Sequence, residues 1–469
     1  MRLKLGHSCR YWVLPAGRAL SFWLAGLFAA LCYGQKAPAL VAGSGSVVPH
    51  GESPRLAVTG VAPKETVVIH SFRMARAYGA DRSQSTPVLA HAFAELVADS
   101  KGTINVDQAV PLRGTYGGAD PLGLLWSGEK SIPVDDVKLS SEDEVLFRLE
   151  RKSRVVAETR ITLNNGEDRV EIEEVKAVGL NGAFAQPRNG SSPYPAIILL
   201  TGSGGGTVGG ARALAARFAQ LGYGAFALNY FANPSAHIEG VPQDLVEIPV
   251  ETVDKARAWL RNKPNVDAER VALWGLSKGA EFALVAAAHY EWVDRVVACV
   301  PSSLVWDGFT PTPPLPAGRS SWSFQGRPLP FVPYDRDLFE DSMRGKLSGF
   351  AMRQRSLERV SESTLEAARI PVEKIRATLL LLGAGNDEVW PSGDMVRRIE
   401  DELRRAGHSN QVSALVFEGA SHVSVFGVGD EMTRINPIIK PEGGSPTPDA
   451  CARAAAKAWA ETKRFLERP

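Results

Sequence analysis

Five runs in the second part of the chain, AIILL, GAFALNY, RVALWG, RVVACV and ATLLLLG, are apolar without alternation. Strands buried on both faces read this way, because neither face needs polar side chains. Helix-like segments separate them: ALAARFAQLG, VETVDKARAWLRN, AEFALVAAAHYEW and MVRRIEDELRRAG. Alternation of this kind predicts an α/β domain over residues 167–469, a doubly wound, mostly parallel sheet with helices on both faces.

The first part of the chain has another rhythm. From residue 55 to 165, short runs rich in β-branched residues (LAVTG, TVVIHSF, EVLFRLE, VVAETRITL) are broken by Gly, Asp and Pro. That pattern predicts an all-β, antiparallel sandwich, and the turn cluster NNGED marks its end. Residues 35–54, rich in Gly, Pro, Ser and Ala, read as a linker. Within the α/β half, residues 301–370 interrupt the alternation with TPTPPLPAG and GRPLPFVP, followed by helix-like SLERVSESTLEAARI. An insertion of this length forms either a lid over a site or surface decoration.

Residues 1–34 differ from both halves. Arg2, Lys4, Arg10 and Arg18 precede the apolar run ALSFWLAGLFAALCYG, after which the chain turns polar and Pro-rich. The order predicts an export signal peptide cleaved after Gly34, hence a periplasmic or secreted protein with no stable membrane span. An uncleaved anchor is the alternative, although the run is short for a spanning helix. Two of the four cysteines, Cys9 and Cys32, lie in this segment. The remaining Cys299 and Cys451 cannot make a disulfide framework, and Cys299, within VVACV, reads as a small buried hydrophobe. With 53 basic residues against 52 acidic and a net charge of +1, no charge block points to nucleic acid or an anionic surface. A small-molecule substrate fits better.

Chemistry enters with ALWGLSKGAE, which sets Ser277 between Gly275 and Gly279 after an apolar strand and before an Ala-rich helix. This is the strand-turn-helix context of G-x-S-x-G, where glycine is needed because the turn is tight. A helix-capping serine would look the same locally. A serine nucleophile also needs a base, oriented in turn by an acid. The α/β-hydrolase arrangement supplies them in the order Ser, acid, His, each at a strand end. Asp387 follows ATLLLLG, with Glu388 in reserve; His422, in GASHV, follows VSALVFEG. His408, in RRAGHSN, competes but follows a helix and reads as a C-terminal cap. An oxyanion needs backbone donors: that of Lys278, after the nucleophile, and those of Ser203, Gly204 and Gly205 in TGSGGGTVGG. The formal G-x-G-x-x-G at Gly204, Gly206 and Gly209 lacks the acidic residue a dinucleotide ribose requires. No zinc motif or phosphate loop is present, so no cofactor and no metal are expected.

Several stretches resemble the acyl-CoA thioesterases and the related bile acid-CoA:amino acid N-acyltransferases. They are RGTYGGADPLGLLWS in the first half and LLTGSGGG, ALNYF, GLSKGAE, IPVEKIRATLLLLGAGNDEVWPS and GASHV in the second, with GGSPTPDACARAAAKAWAETKRFL near the end. The resemblance implies a β-sandwich joined to an α/β-hydrolase domain, with nucleophile, acid and base at Ser277, Asp387 and His422. The acyltransferase branch carries cysteine where this chain has serine, which implies hydrolysis of an acyl thioester. The apparent export signal favours a second reading, an exported carboxylesterase or acyltransferase acting on acyl substrates other than CoA esters. A third, of another class, is a binding or scaffold protein that has kept the fold.

Overall fold

A computed structural model describes residues 37–78, 85–132, 134–190, 193–311, 314–408 and 412–467. The segment read as an export signal, residues 1–34, lies outside the described residues. Among those described, no helix is long and apolar enough to cross a membrane.

The first domain is two sheets around one core. Thr66–Tyr78 pairs antiparallel with Ser85–Val97 on one side and Glu144–Arg151 on the other, and Arg154–Asn164 continues the sheet. A smaller sheet of Ala39–Ala42, Leu56–Thr59 and Ile104–Asn105 contributes Leu40, Val58 and Ile104 to a core shared with Ile69, Phe147 and Ile161. Residues 39–49 are therefore not a linker, because Ala39–Ala42 and Val47–Pro49 are strands. One apolar side chain in each, Leu40 at 5% and Val48 at 0% exposure, suffices to hold a short edge strand. Their Gly- and Ser-rich flanks hid this. In NNGED, Asn164 accepts the Gly166 N–H at 3.1 Å and Gly166 takes φ 73°, turning the chain into the second domain.

The second domain holds an eight-stranded sheet, whose strands are numbered here on their own: β1 Val170–Ala177, β2 Leu180–Pro187, β3 Tyr194–Leu200, β4 Gly224–Leu228, β5 Val266–Leu276, β6 Val293–Cys299, β7 Thr378–Ala384 and β8 Val412–Phe417. Their order is β1-β2-β4-β3-β5-β6-β7-β8, parallel from β4 to β8 and antiparallel at β1 and β2. Its helices are α1 Val208–Ala219, α2 Glu251–Leu260, α3 Lys278–His289, α4 Arg336–Met343, α5 Gly349–Glu358, α6 Glu362–Ala367, α7 Ser392–Arg405 and α8 Pro448–Leu466. α1 and α8 bury Ala215, Phe218 and Ala458 on one face of the sheet. α2, α3 and α7 bury Val253, Phe282 and Ile399 on the other. The central strands are covered on both sides, which is why they read as unbroken apolar runs. This is the α/β-hydrolase fold.

The inserted region forms a hairpin, Asp307–Pro311 with Pro314–Ser320, and then α4, α5 and α6. Its core of Trp306, Val332, Tyr334 and Phe339 is continuous with Trp390 and Met395 of the main domain.

Candidate active site

Ser277 sits between β5 and α3 with φ 53° and ψ −120°. A non-glycine residue in this region carries about 1–3 kcal/mol of strain. The neighbouring backbone enforces the turn. A Cβ on Gly275 would come within 2.2 Å of the Gly279 carbonyl oxygen, and one on Gly279 within 2.1 Å of that of Leu200. Glycine is thus obligatory at both places. The Ser277 N–H donates to the Cys299 carbonyl at 2.8 Å, tying the turn to β6.

Asp387 follows β7 and is buried. Its Oδ1 accepts the N–H groups of Val389 at 2.8 Å and Trp390 at 3.0 Å, and its Oδ2 accepts Ser392 Oγ at 2.5 Å. His422, after β8, sets Nδ1 2.8 Å from Asp387 Oδ2 and 3.0 Å from Oδ1. Trp390 meets the His422 ring edge-on at 5.7 Å. Imidazole and carboxylate are therefore joined, and the other ring nitrogen has no hydrogen-bond partner among the described residues. Ser277 Oγ makes no hydrogen bond to His422 among the described residues. Such contacts are often long before substrate arrives.

The two rival residues have other roles. Glu388 Oε2 accepts the backbone N–H of His422 at 2.9 Å, so it holds the histidine's loop rather than its ring. Burial pushes its carboxyl above the ordinary value. His408 lies beyond α7, bonds Leu403 through its backbone, and has an imidazole lowered in pKa by burial.

Of the expected oxyanion donors, Lys278, Ser203 and Gly204 have backbone N–H groups free of protein acceptors among the described residues. Gly205 does not: its N–H is taken by the Gly202 carbonyl at 3.1 Å, closing a turn in which Gly205 adopts φ 70°. Gly202, one residue ahead of the expected segment, adjoins Ser277. Its N–H is likewise free, and a Cβ there would lie 3.2 Å from that of Ser277.

Two features escaped sequence reading. The Lys278 ammonium is wholly buried and pairs with buried Glu281 at 2.6 Å, while Trp322 Nε1 donates to the same carboxylate oxygen at 2.7 Å. Spacing of Lys and Glu by three residues on an otherwise apolar helix was the available signal. The second is Arg353 of α5, which donates to the Val389 carbonyl at 2.9 Å with its guanidinium 5.4 Å from the centre of the Trp390 ring. Phe350 N–H also reaches the Glu388 carbonyl at 2.9 Å. The insertion is thereby fastened to the loop that carries Asp387.

Cys299 is buried, which pushes its thiol up to about 12, and it forms no disulfide with Cys451. Among the described residues, no cluster of three or more His, Cys, Asp or Glu side chains could hold a metal.

Comparison with known proteins agrees with this architecture. Residues 52–176 match the model for the acyl-CoA thioester hydrolase/BAAT N-terminal region, and residues 248–469 that for the BAAT/acyl-CoA thioester hydrolase C terminal. Residues 180–314 match the dienelactone hydrolase family. Human mitochondrial acyl-coenzyme A thioesterase 2 is 26% identical over 89% of this chain and 81% of its own. The mouse peroxisomal succinyl-coenzyme A thioesterase is 25% identical over 78% of this chain and 81% of its own. Among solved structures, a dienelactone hydrolase from Klebsiella pneumoniae is similar at 16% identity and a TM-score of 0.40, over 64% of this chain and 99% of that one. With both of its terminal models matched in order along one chain, this protein belongs to the acyl-CoA thioester hydrolase/BAAT family.

Proposed function

We propose that the protein is a serine hydrolase that cleaves acyl thioesters through an acyl-enzyme, with Ser277 as nucleophile, His422 as base and Asp387 as the orienting acid. The observation that carries this reading is the buried 2.8 Å contact of His422 Nδ1 with Asp387 at adjoining strand ends of the sheet whose next-but-one strand, β5, leads into Ser277.

Ser277 Oγ attacks the acyl carbonyl carbon as its proton passes to His422 Nε2, and the Asp387 carboxylate stabilises the imidazolium that forms. The carbonyl electrons move onto oxygen, and the N–H groups of Lys278 and the 202–204 segment hold that charge. Collapse breaks the carbon–sulfur bond, and His422 gives its proton to the leaving thiolate. Water, deprotonated by His422, then attacks the acyl-serine carbonyl carbon; the bond to Ser277 Oγ breaks, His422 returns the proton to Oγ, and a carboxylic acid leaves. The relatives' names motivate the thioester as substrate.

A second reading, hydrolysis of carboxylic esters, is favoured by the dienelactone hydrolase match over residues 180–314. It uses the same residues and differs in the leaving group. Turnover of acyl-CoA of several chain lengths beside aryl esters separates the two. Aryl-ester hydrolysis with acyl-CoA untouched removes the thioester reading. A fluorophosphonate should label the wild-type protein but not Ser277→Ala, and Asp387→Asn should cut kcat by roughly 10⁴-fold. Absence of labelling would leave a scaffold that has kept the fold.

A further inference from the structure

The loop 201–206, Thr-Gly-Ser-Gly-Gly-Gly, has almost no side chains to hold its peptide planes. What holds it are bonds to its backbone. Gly202 O accepts the Gly205 N–H at 3.1 Å, Gly204 O accepts Asn233 Nδ2 at 2.6 Å, and Thr201 O accepts the Tyr230 hydroxyl at 2.5 Å. These three take carbonyls; at the loop's end the Gly206 N–H is used as well, donating to the Phe231 carbonyl at 2.8 Å. The N–H groups of Gly202, Ser203 and Gly204 are left without protein acceptors among the described residues.

A peptide unit is planar and trans, so its N–H points opposite to its C=O. The bond from Tyr230 to Thr201 O therefore fixes the direction of the Gly202 N–H, which lies in the same plane and points the opposite way, and Gly202 itself adjoins Ser277, a Cβ on it lying 3.2 Å from that of Ser277. Tyr230 is 2% exposed, and its ring packs on Phe231 at 5.3 Å, Phe282 at 5.1 Å and Trp322 at 5.8 Å. The ring cannot swing to another acceptor without disturbing that cluster. Phenylalanine would fill the same space, so packing alone does not call for a hydroxyl. The absence of a side chain at 279 is part of the same arrangement, because a Cβ there would lie 2.4 Å from Thr201 O. Burial holds the Tyr230 phenol well above its ordinary pKa, which keeps it a neutral donor.

We propose that Tyr230 is a positioning residue for the oxyanion, its hydroxyl orienting the Thr201–Gly202 peptide so that the Gly202 N–H joins that of Lys278 in binding the charge that develops on the substrate oxygen. This rests on the serine-hydrolase reading above. Tyr230 touches no reacting atom itself; it acts through one peptide plane. The charge it helps to bind is present in the transition state and absent from bound substrate, so its loss should act on kcat and leave KM nearly unchanged.

The test compares wild type with Tyr230→Phe in full-length protein, using whichever thioester or aryl ester the wild type turns over. An alkyl trifluoromethyl ketone serves as the oxyanion mimic: Ser277 Oγ adds to its carbonyl carbon, the serine proton passes to His422, and the ketone oxygen becomes the oxyanion. Loss of a whole oxyanion donor costs roughly 10²–10³ in kcat, and a misaimed one should cost about 10–100-fold, with KM within about twofold. Ketone affinity should weaken by a similar factor. Wild-type kcat in Tyr230→Phe, or a fall in kcat with ketone affinity intact, overturns the proposal. Should the variant fail to fold, wild-type protein labelled with ¹⁵N-glycine decides: the Gly202 amide should shift downfield when the ketone binds, and an unmoved resonance overturns the assignment. If wild type neither turns over ester or thioester nor reacts with a fluorophosphonate, it is the hydrolase reading that falls.

Discussion

Asp387 accepts hydrogen bonds from two backbone N–H groups, a serine hydroxyl and an imidazole. The first three fill lone pairs that would otherwise rotate, so the carboxylate is left with one free task, orienting His422. Glu388, the next residue, faces a backbone N–H instead and takes the supporting part. Sequence order alone selects Ser277, the Asp387–Glu388 pair and His422, because each follows a strand-like apolar run. It cannot say which of two adjacent carboxylates faces the ring, since that depends on one turn. Gly205 shows the same limit: any glycine in such a loop can offer an N–H until a local turn consumes it. Asp307 carries a prediction at this scale. Burial pushes its carboxyl from 3.8 up to about 6, although the Tyr334, Arg319 and Gly318 N–H groups oppose the shift. Between those two values the folded state holds a proton that the unfolded state has lost, so stability contributed through this group falls as pH rises from 4 to 6 and is constant above. The Tm of Asp307→Asn, taken relative to wild type at each pH, should therefore move in the variant's favour from pH 4 to pH 7. A difference independent of pH would refute the assignment.

Elements buried on both sides were the most legible, because a short, unbroken apolar run between helices fits a central strand of a covered sheet and little else. β1 and β2 left a weaker trace: VEIEEVKA is charged along an exposed edge, and only Val170 and Val175 are buried. In the insertion, proline-rich text concealed a hairpin, Asp307–Pro311 with Pro314–Ser320. α3 looked like an ordinary apolar helix, yet its first turn hides the Lys278–Glu281 pair at 1% and 0% side-chain exposure. Burial disfavours both charges, lowering the Lys278 ammonium and raising the Glu281 carboxyl, while their mutual attraction opposes it. Removing one partner strands the other. Lys278→Met should cost about 3–5 kcal/mol of unfolding free energy, and adding Glu281→Leu should recover part of it, the rest being the cost of the Trp322 Nε1–H and Trp306 N–H left without their acceptor. Denaturant unfolding of both variants measures this. A single variant as stable as wild type would show that the pair is not held as a buried ion pair.

At the scale of the whole molecule, the stretch following His422 ties the two domains together. Asp430 Oδ2 accepts His50 Nδ1 at 2.8 Å and the Gly51 N–H at 3.1 Å, and its carbonyl accepts Arg73 at 3.0 Å. Arg434 reaches Glu129 at 3.0 Å, Asn436 Nδ2 donates to the Arg76 carbonyl at 2.7 Å, and Ala452 of α8 enters the sandwich core. The sandwich thus braces the chain that leads out of the histidine loop. No sequence pattern announces this, since the partners lie up to 380 residues apart. Burial pushes the Asp430 carboxyl up, but the His50 bond, the Arg73 charge and the Gly51 N–H outweigh it and hold the group below its ordinary 3.8. A depressed acid contributes stability that is complete above its unfolded value and is lost as pH falls through the folded one. Asp430→Asn should therefore lower Tm at pH 7 by several degrees, at roughly 2–4 °C per kcal/mol for a domain of this size. The gap from wild type should close as the medium is acidified through and below pH 3.8. Because His422 lies only a short loop upstream, kcat measured at pH 7 should fall with Tm in this variant. Equal kcat alongside the lowered Tm would mean that the brace serves stability alone and that the histidine is held by Glu388 and Asp387 without help from the sandwich.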